Sequence, residues 1–484
     1  MRILLIKSER LLDTDRWVVN PLGIMSLASV ARSAGHEVRI LDLRVERGEH
    51  VQRALDKAIE EKPDLVGLSA LSHQSKTTRQ VSAYIQNRLP DVFQIAGGPL
   101  ANTDPEYLLV GTDIDACALG EGEKTFSDVL ETLSRGGDLT KIPGLAFRNE
   151  QEVIQTPPRG LIEDLDHLPT PTWGMVDLDH YAKFVAMSAR LEKRASLQTS
   201  RGCPFHCTFC HNLFGKKFRG RSPGHVLEEL SMLHRKYGVR YFELIDDIFN
   251  ANYDRAEEIL NGIRDRLPSC RISFPNGLRA DQLDRKFVRS LKQANCVGVY
   301  IAIETASLWR QKEIAKNINI EKVRKVALWL QEERIHTSCL FMVGFPGERA
   351  EEIDKTFALA TELPVDLPHI SVVIPYKNTP LWDRFLESGG KVSPDTLDPY
   401  YGYDQQSVSE VSNDLLRERS LRLARKRLLF NPRNWFILYA ELRFRLRDPL
   451  GLFFKLLSMI PPRRWNRKLA EWSIKTQGFF ENSD

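Results

Sequence analysis

Long apolar runs are missing from this sequence of 484 residues. A membrane span needs about 18 or more consecutive apolar residues, and the nearest stretches, Trp435 to Ala440 and Leu450 to Ile460, are bounded or broken by charge. The opening Met1-Arg2-Ile3-Leu4-Leu5-Ile6 is too short for a signal-peptide core, and Lys7 and Glu9 interrupt it. A cytoplasmic location is therefore expected. Cysteine is scarce: there are seven, an odd number for a disulfide framework, and three of them fall within eight residues, as suits reduced, metal-binding thiols. A large excess of one charge is also missing, since 68 Lys and Arg face 64 Asp and Glu for a net +4. Overall charge thus does not indicate a nucleic-acid binder. With 42% apolar and 27% charged residues, composition excludes a disordered or collagenous chain and leaves room for two to four domains at about 100 to 200 residues each.

The balanced total hides an asymmetry. From Arg417 to Asp484 there are sixteen Lys or Arg against six Asp or Glu, a local +10 that leaves −6 for everything before it. In this basic stretch Trp435, Phe436, Tyr439, Phe444, Phe453, Phe454, Trp465 and Trp472 interleave with Arg and Lys. Such a mix fits either an anionic membrane surface or aromatics packed on a barrel and closing its mouth.

Residues 1–145 alternate short apolar runs with helical spacing. The runs Arg2 to Ser8, Glu37 to Leu43, Leu65 to Leu71, Val92 to Gly98 and Ala116 to Leu119 read as strands buried on both faces. Five repeats predict a doubly wound parallel α/β domain, whose ligands lie beyond the carboxyl ends of the strands. Those ends carry Ser69, Gly97-Gly98 and Gly120-Glu121-Gly122, where glycines either admit a ligand to the backbone or simply make tight turns. Residues 146–190, punctuated by Thr156-Pro157-Pro158 and Leu168-Pro169-Thr170-Pro171, read as a proline-rich linker. Over 191–385 six more strand and helix units predict a partial parallel (βα)6 barrel with its site at the strands' carboxyl mouth. Residues 386–484 form the basic, aromatic, mostly helical C-terminal region.

The informative segment is Arg201-Gly202-Cys203-Pro204-Phe205-His206-Cys207-Thr208-Phe209-Cys210-His211-Asn212. Its C-x3-C-x2-C thiols follow the first barrel strand, which puts them on a loop at the mouth. A structural zinc site closes with four protein ligands, and only His206 or His211 offers a fourth. Three thiolates suit a [4Fe–4S] cluster with one iron open to a substrate or cofactor. Cys117, Cys270, Cys296 and Cys339 stand alone in apolar surroundings and read as buried, inert core residues.

With Phe209 before its last Cys, this segment resembles the signature of the radical S-adenosylmethionine (SAM) superfamily. Leu244-Ile245-Asp246-Asp247, Asn276-Gly277-Leu278-Arg279, Ile301-Ala302-Ile303-Glu304 and Phe341-Met342-Val343-Gly344-Phe345-Pro346-Gly347-Glu348 match later segments of that family in order. The resemblance implies that Cys203, Cys207 and Cys210 hold the cluster and that SAM is split there to a 5′-deoxyadenosyl radical. It further places the SAM amino group on Asp246 or Asp247, its carboxylate on Arg279, its ribose or amine on Glu304 and its adenine on the Val343-Gly344 backbone; a rim salt bridge is the lesser alternative for Asp247 or Arg279. The first domain is similar to the cobalamin-binding module of cobalamin-dependent radical SAM proteins, through Asn20-Pro21-Leu22-Gly23-Ile24-Met25, Ala96-Gly97-Gly98-Pro99 and Leu119-Gly120-Glu121-Gly122-Glu123. The Asp-x-His-x-x-Gly segment that ligates cobalt in some relatives is absent, and His73 is the one imidazole near the third strand's end.

Both resemblances point to the branch of the anaerobic magnesium-protoporphyrin monomethyl ester cyclase and the hopanoid and other C-methylases. They imply [4Fe–4S], SAM and cobalamin as cofactors, and methyl transfer to an unactivated carbon of a small molecule, lipid and tetrapyrrole included. Oxidative cyclisation without net methylation uses the same cofactors and stays open, as do two lesser readings, a methylthiotransferase and a cobalamin-binding scaffold without catalysis. An electron donor such as flavodoxin or ferredoxin is the expected protein partner, and nucleic acid is not.

Overall fold

Residues 1–8, 18–46, 49–71, 75–149, 152–211, 213–391 and 407–445 are described by the computed structural model. His73, Asn212, Phe453, Phe454, Trp465 and Trp472 lie outside the described residues.

The first sheet holds β1 (Arg2–Lys7), β2 (Glu37–Asp42), β3 (Leu65–Ser69), β4 (Phe93–Gly97), β5 (Ala116–Ala118), β6 (Leu145–Asn149) and β7 (Glu152–Gln155), in the order β2-β1-β3-β4-β5-β6-β7. β1 to β5 are parallel. Alternation along β1 sends Leu4 and Ile6 to the core on one face and Ile3 and Leu5 to the core on the other. Each such side chain contributes about 1.5 to 3 kcal/mol on burial. The strand order reverses at β1, which pairs with both β2 and β3, and the crevice of a doubly wound sheet opens at such a switch point.

The sheet does not stop at residue 145. β6 pairs antiparallel with β5 and β7 with β6, so the expected linker opens on a hairpin that extends the first sheet. The following proline-rich chain has little regular structure, only the turn Trp173–Met175 and the helix Leu178–Tyr181, but it is firmly packed. Ser29 Oγ donates to the Thr170 carbonyl at 2.6 Å, Thr172 Oγ1 donates to the Met25 carbonyl at 3.1 Å, and buried Trp173 donates through Nε1 to Glu229 at 2.7 Å.

The second sheet is built from β8 (Ala195–Leu197), β11 (Tyr241–Leu244), β12 (Arg271–Leu278), β13 (Cys296–Glu304), β14 (His336–Val343) and β15 (Leu367–Val372), between which β9 (Ser200–Arg201) and β10 (Arg219–Gly220) form a separate hairpin. The six strands are parallel in the order β15-β14-β13-β12-β11-β8. β8 and β15 are its two edges, so the barrel is open on one side. Its core takes in Met25 from the first domain and Trp173 from the connector, which joins the two halves through shared apolar packing. At the base, fully buried Arg194 donates to the carbonyls of Tyr181, Phe184 and Val18.

The basic helix Asn413–Phe430 packs along β15. Leu416, fully buried, joins Val343, Ile353 and Phe357 in a small apolar cluster, while Asn434 bonds His336 at 2.8 Å and Phe436 meets the His336 ring edge-on. This part of the tail therefore lies against the barrel through Leu416, Asn434 and Phe436, whereas Trp435 and Tyr439 are exposed. Among the described residues no helix is long and apolar enough to cross a membrane.

Candidate active site

The three cysteines lie in the loop that joins β9 to β10, at the carboxyl end of β8. Gly202 sets its entry: with φ +81° it occupies the left-handed region, and a Cβ there would sit 2.2 Å from the Lys217 carbonyl oxygen. No other residue fits that close approach of backbone to backbone. Thr208 N donates to Ile314 O at 3.0 Å, Cys203 N to Gly215 O at 3.3 Å and Cys210 N to Cys207 O at 3.3 Å, so the loop is anchored along its length. Phe209 packs against the cluster of Ile314, Phe345, Val373 and Leu381 at the barrel rim. Burial raises the Cys207 thiol, opposed by Lys316, so metal must displace the proton to form the thiolate ligand.

Among the described residues no group of three His, Cys, Asp or Glu side chains is arranged to hold one ion, as a zinc site would require. A cubane instead takes one thiolate on each of three irons, which suits three thiols spread along a loop, with Cys203 and Cys207 partly exposed and Cys210 exposed. The other four cysteines are buried, and burial pushes the Cys117 and Cys296 thiols up to about 12, which leaves them inert.

The two neighbouring aspartates part ways. Asp246 is buried, and its carboxylate accepts from Thr199 N, from Thr199 Oγ1 at 2.5 Å, from Ser200 N at 3.2 Å and from Ser200 Oγ at 2.8 Å. It fastens the chain between β8 and β9 and has no lone pair to spare for SAM, which corrects half of that expectation. Asp247, exposed beside the cysteine loop, accepts only the Gly202 amide at 3.2 Å among the hydrogen bonds that fix its position.

Arg279 pairs with Asp281 at 3.0 Å, donates to Lys316 O at 2.8 Å and stacks its guanidinium 3.8 Å from the Phe205 ring centroid. It thus braces the cysteine loop, the rim role that its position also allowed. Glu304 ends β13 in the left-handed region at φ +72° and pairs with Lys316 Nζ at 2.9 Å. A non-glycine residue held there marks strain of the kind that collects at functional sites. At β14 the Gly344 and Phe345 amides both donate to buried Glu348, at 2.6 and 3.1 Å, and the Val343 carbonyl accepts from Val373 N at 2.9 Å. Two of the backbone groups expected to meet adenine, the Gly344 amide and the Val343 carbonyl, are thus already engaged.

The first domain's expected residues do come together. Ser69, Gly97, Gly98, Gly120, Glu121 and Gly122 line one cavity of about 350 Å³ at the carboxyl edge of the first sheet. Gly98 lies in the left-handed region at φ +94°, and a Cβ there would press on the Ala70 carbonyl oxygen at 3.0 Å. The opposite wall is the second domain: Leu197, Gln198, Arg201, Phe214 and Ile245. Glu121, however, does not point its charge at a ligand. Its carboxylate takes Arg219 Nη1 at 2.8 Å, Arg201 Nη1 at 2.9 Å and the Ile162 amide at 2.7 Å.

Sequence reasoning passed over several residues of this site. Lys7 ends β1 at the switch point and lines the cavity, a place its strand-end position signalled. Arg201 and Arg219 gave no local sign, because their partners lie 78 to 98 residues away. The segment Ile314 to Lys316 was also missed; its carbonyls accept in turn from Thr208 N, Cys207 Sγ and Arg279 Nη2.

A three-thiol loop at the mouth of an open parallel barrel, facing a doubly wound sheet across one cavity, defines a class, and comparison with known proteins agrees. The family model for a B12 binding domain matches residues 11–130, and that for the radical SAM superfamily matches residues 197–360. An uncharacterized methyltransferase of Pyrococcus horikoshii is 33% identical over 82% of this chain and 86% of its own length. The anaerobic magnesium-protoporphyrin IX monomethyl ester cyclase of Rubrivivax gelatinosus is 27% identical over 70% of this chain and 61% of its own. The solved structure of the radical SAM methyltransferase TsrM of Kitasatospora setae, with cobalamin and a [4Fe–4S] cluster bound, shares the fold at TM-score 0.68 and 20% identity, over 81% of this chain and 79% of that one. The chain belongs to the radical SAM superfamily, in the group that carries a B12-binding domain. It is an enzyme, and its cofactors are cobalamin, SAM and a [4Fe–4S] cluster.

Proposed function

We propose that this enzyme transfers a methyl group to an unactivated carbon of a hydrophobic or natural-product-like small molecule. One observation carries the reading: a single cavity has the glycine-lined edge of the B12-binding sheet on one wall and the base of the cysteine hairpin on the other. Cobalamin supplies a transferable methyl group and SAM, bound at the cluster, supplies the radical that removes hydrogen. Ser69, Gly97, Gly98, Gly120 and Gly122 would lie against the corrin, their small size admitting its broad face. Cys203, Cys207 and Cys210 would hold the cluster, with Asp247 placed to accept from the SAM ammonium. Leu27, Phe126, Leu165 and Leu213 line the remaining wall and exclude water from the radical. The nature of the substrate, lipid and tetrapyrrole included, is inferred only from this apolar lining. A second reading, oxidative cyclisation, is favoured by the likeness to the cyclase.

The electron that starts the reaction would come from a small donor protein such as flavodoxin or ferredoxin. The cluster thiols call for a reducing compartment, which favours the cytoplasm. Nucleic acid is not a partner in this reading, since the whole-chain charge is only +4. The test is anaerobic reconstitution with cobalamin and SAM labelled in its methyl group, incubated with an extract of the host's small molecules. Label in a product with equimolar S-adenosylhomocysteine supports methylation; deoxyadenosine without labelled product supports cyclisation. Replacing all three cysteines by Ala should abolish both.

A further inference from the structure

Four buried charges connect the two domains at one spot. Glu121 and Glu123 stand on the turn after β5 whose backbone lines the cavity, and Arg201 and Arg219 are the two residues that bracket the cysteine loop. Their side chains are 2%, 7%, 12% and 2% exposed respectively. Arg201 places one nitrogen 2.9 Å from Glu121 and the other 2.5 Å from Glu123, while Arg219 takes Glu121 at 2.8 Å. A fork on two carboxylates fixes direction as well as distance.

The network reaches the cavity at two points and the cysteines at one. Ser26 Oγ donates to Glu123 at 3.1 Å from the helix Leu22–Ser33, whose first turn also lines the cavity. Gly120 N donates to Asn102 Oδ1 at 2.5 Å, which ties the turn to the chain after Gly98. At the other end Arg201 is followed by Gly202, which has no slack against Lys217, and then by Cys203. Arg201 thus stands between the cavity wall and the first thiol.

We infer that Arg201 is a positioning residue that, through Glu121 and Glu123, transmits occupancy of the corrin cavity to the cysteine loop. A corrin seated on the Gly120 to Gly122 backbone restrains the turn that carries both carboxylates, and the loop orders with it. The inference rests on the functional reading above, since it needs cobalamin in that cavity.

Hydrogen exchange of the full chain, followed with and without hydroxocobalamin, tests it. In the parent, hydroxocobalamin should slow exchange at least tenfold both in 97–122 and in 202–218. Two variants break the link: Arg201→Lys keeps the charge and loses the fork, and Arg201→Gln with Glu123→Gln removes one positive and one negative charge together. In each, protection of 97–122 should persist while that of 202–218 falls below twofold. Should the double variant fail to fold, Arg201→Lys decides alone. Parent-like protection of 202–218 in a folded variant overturns the inference, as does a parent whose 97–122 responds while 202–218 does not. A parent that retains no corrin absorbance after gel filtration overturns the functional reading itself.

Discussion

Replacing Gly202 by Ala should abolish cluster assembly while leaving the protein folded. The perturbation is one methyl group. At φ +81° an L-residue meets a penalty of about 1 to 2 kcal/mol. The new Cβ would also lie 2.2 Å from the Lys217 oxygen and 2.9 Å from that of Phe214; both are backbone, so neither swings aside. Forcing them apart adds about 1 to 3 kcal/mol, as overpacking usually does. Together these come to about 2 to 5 kcal/mol against the native loop, a factor of about 30 to several thousand in its population. The loop meets an apolar cluster only through Phe209, at the rim, so it yields locally before either domain melts. Anaerobic reconstitution followed by iron analysis should give less than a tenth of the parent's iron, with a melting temperature within a few degrees of the parent. Gly215→Ala is the control. It too sits in the left-handed region, but its Cβ meets only the Leu161 side chain, at 2.5 Å, which can turn away; it should keep at least half of the iron. Full iron in Gly202→Ala would refute the reasoning.

Other outcomes follow from the same geometry. Asp246→Ala strands four buried donors and should destabilise by about 3 to 5 kcal/mol, whereas Asp247→Asn should melt like the parent yet weaken the change that SAM makes in the spectrum of the reduced cluster. Burial pushes the Glu348 carboxyl up to about 7, although the Gly344 and Phe345 amides oppose it. The folded chain therefore holds this proton above the pH where the unfolded chain releases it. Its stabilising contribution is complete below about pH 4.5 and is lost as pH rises through about 7, at most about 3 kcal/mol. Glu348→Gln should flatten that decline, gaining on the parent at pH 8 relative to pH 5 in thermal melts. Leu416→Ala opens a cavity against Val343 and should destabilise by about 2 to 5 kcal/mol in denaturant titration.

Much of this architecture was legible because parallel strands buried on both faces announce themselves as apolar runs. β1 and β3 stand within two residues of their sequence-based bounds for that reason. The hairpin β6–β7 was hidden beside Thr156-Pro157-Pro158: the prolines drew attention from the short alternation in Glu152 to Gln155, one face of which is exposed. The cysteine loop could be read from spacing alone. Asp246 and Asp247 could not be told apart, because adjacent residues at a strand end differ only in which way they face. Arg201, Arg219 and Lys316 acquire their roles from partners distant in sequence or brought together by the barrel, and no local pattern encodes such pairings.

Three residues make a very short ribbon, and β5 is the one that leads into Gly120 and Glu121. It keeps its place because β4 grips one side and β6 the other, and the grip continues past its end, where Leu119 N donates to Gly144 O at 2.8 Å and Gly144 N to Pro157 O at 2.9 Å. Anyone trimming the gene to isolate the corrin-binding half should therefore cut after residue 157. Ending at residue 145 would strip away the outer grip and loosen the very turn that lines the cavity.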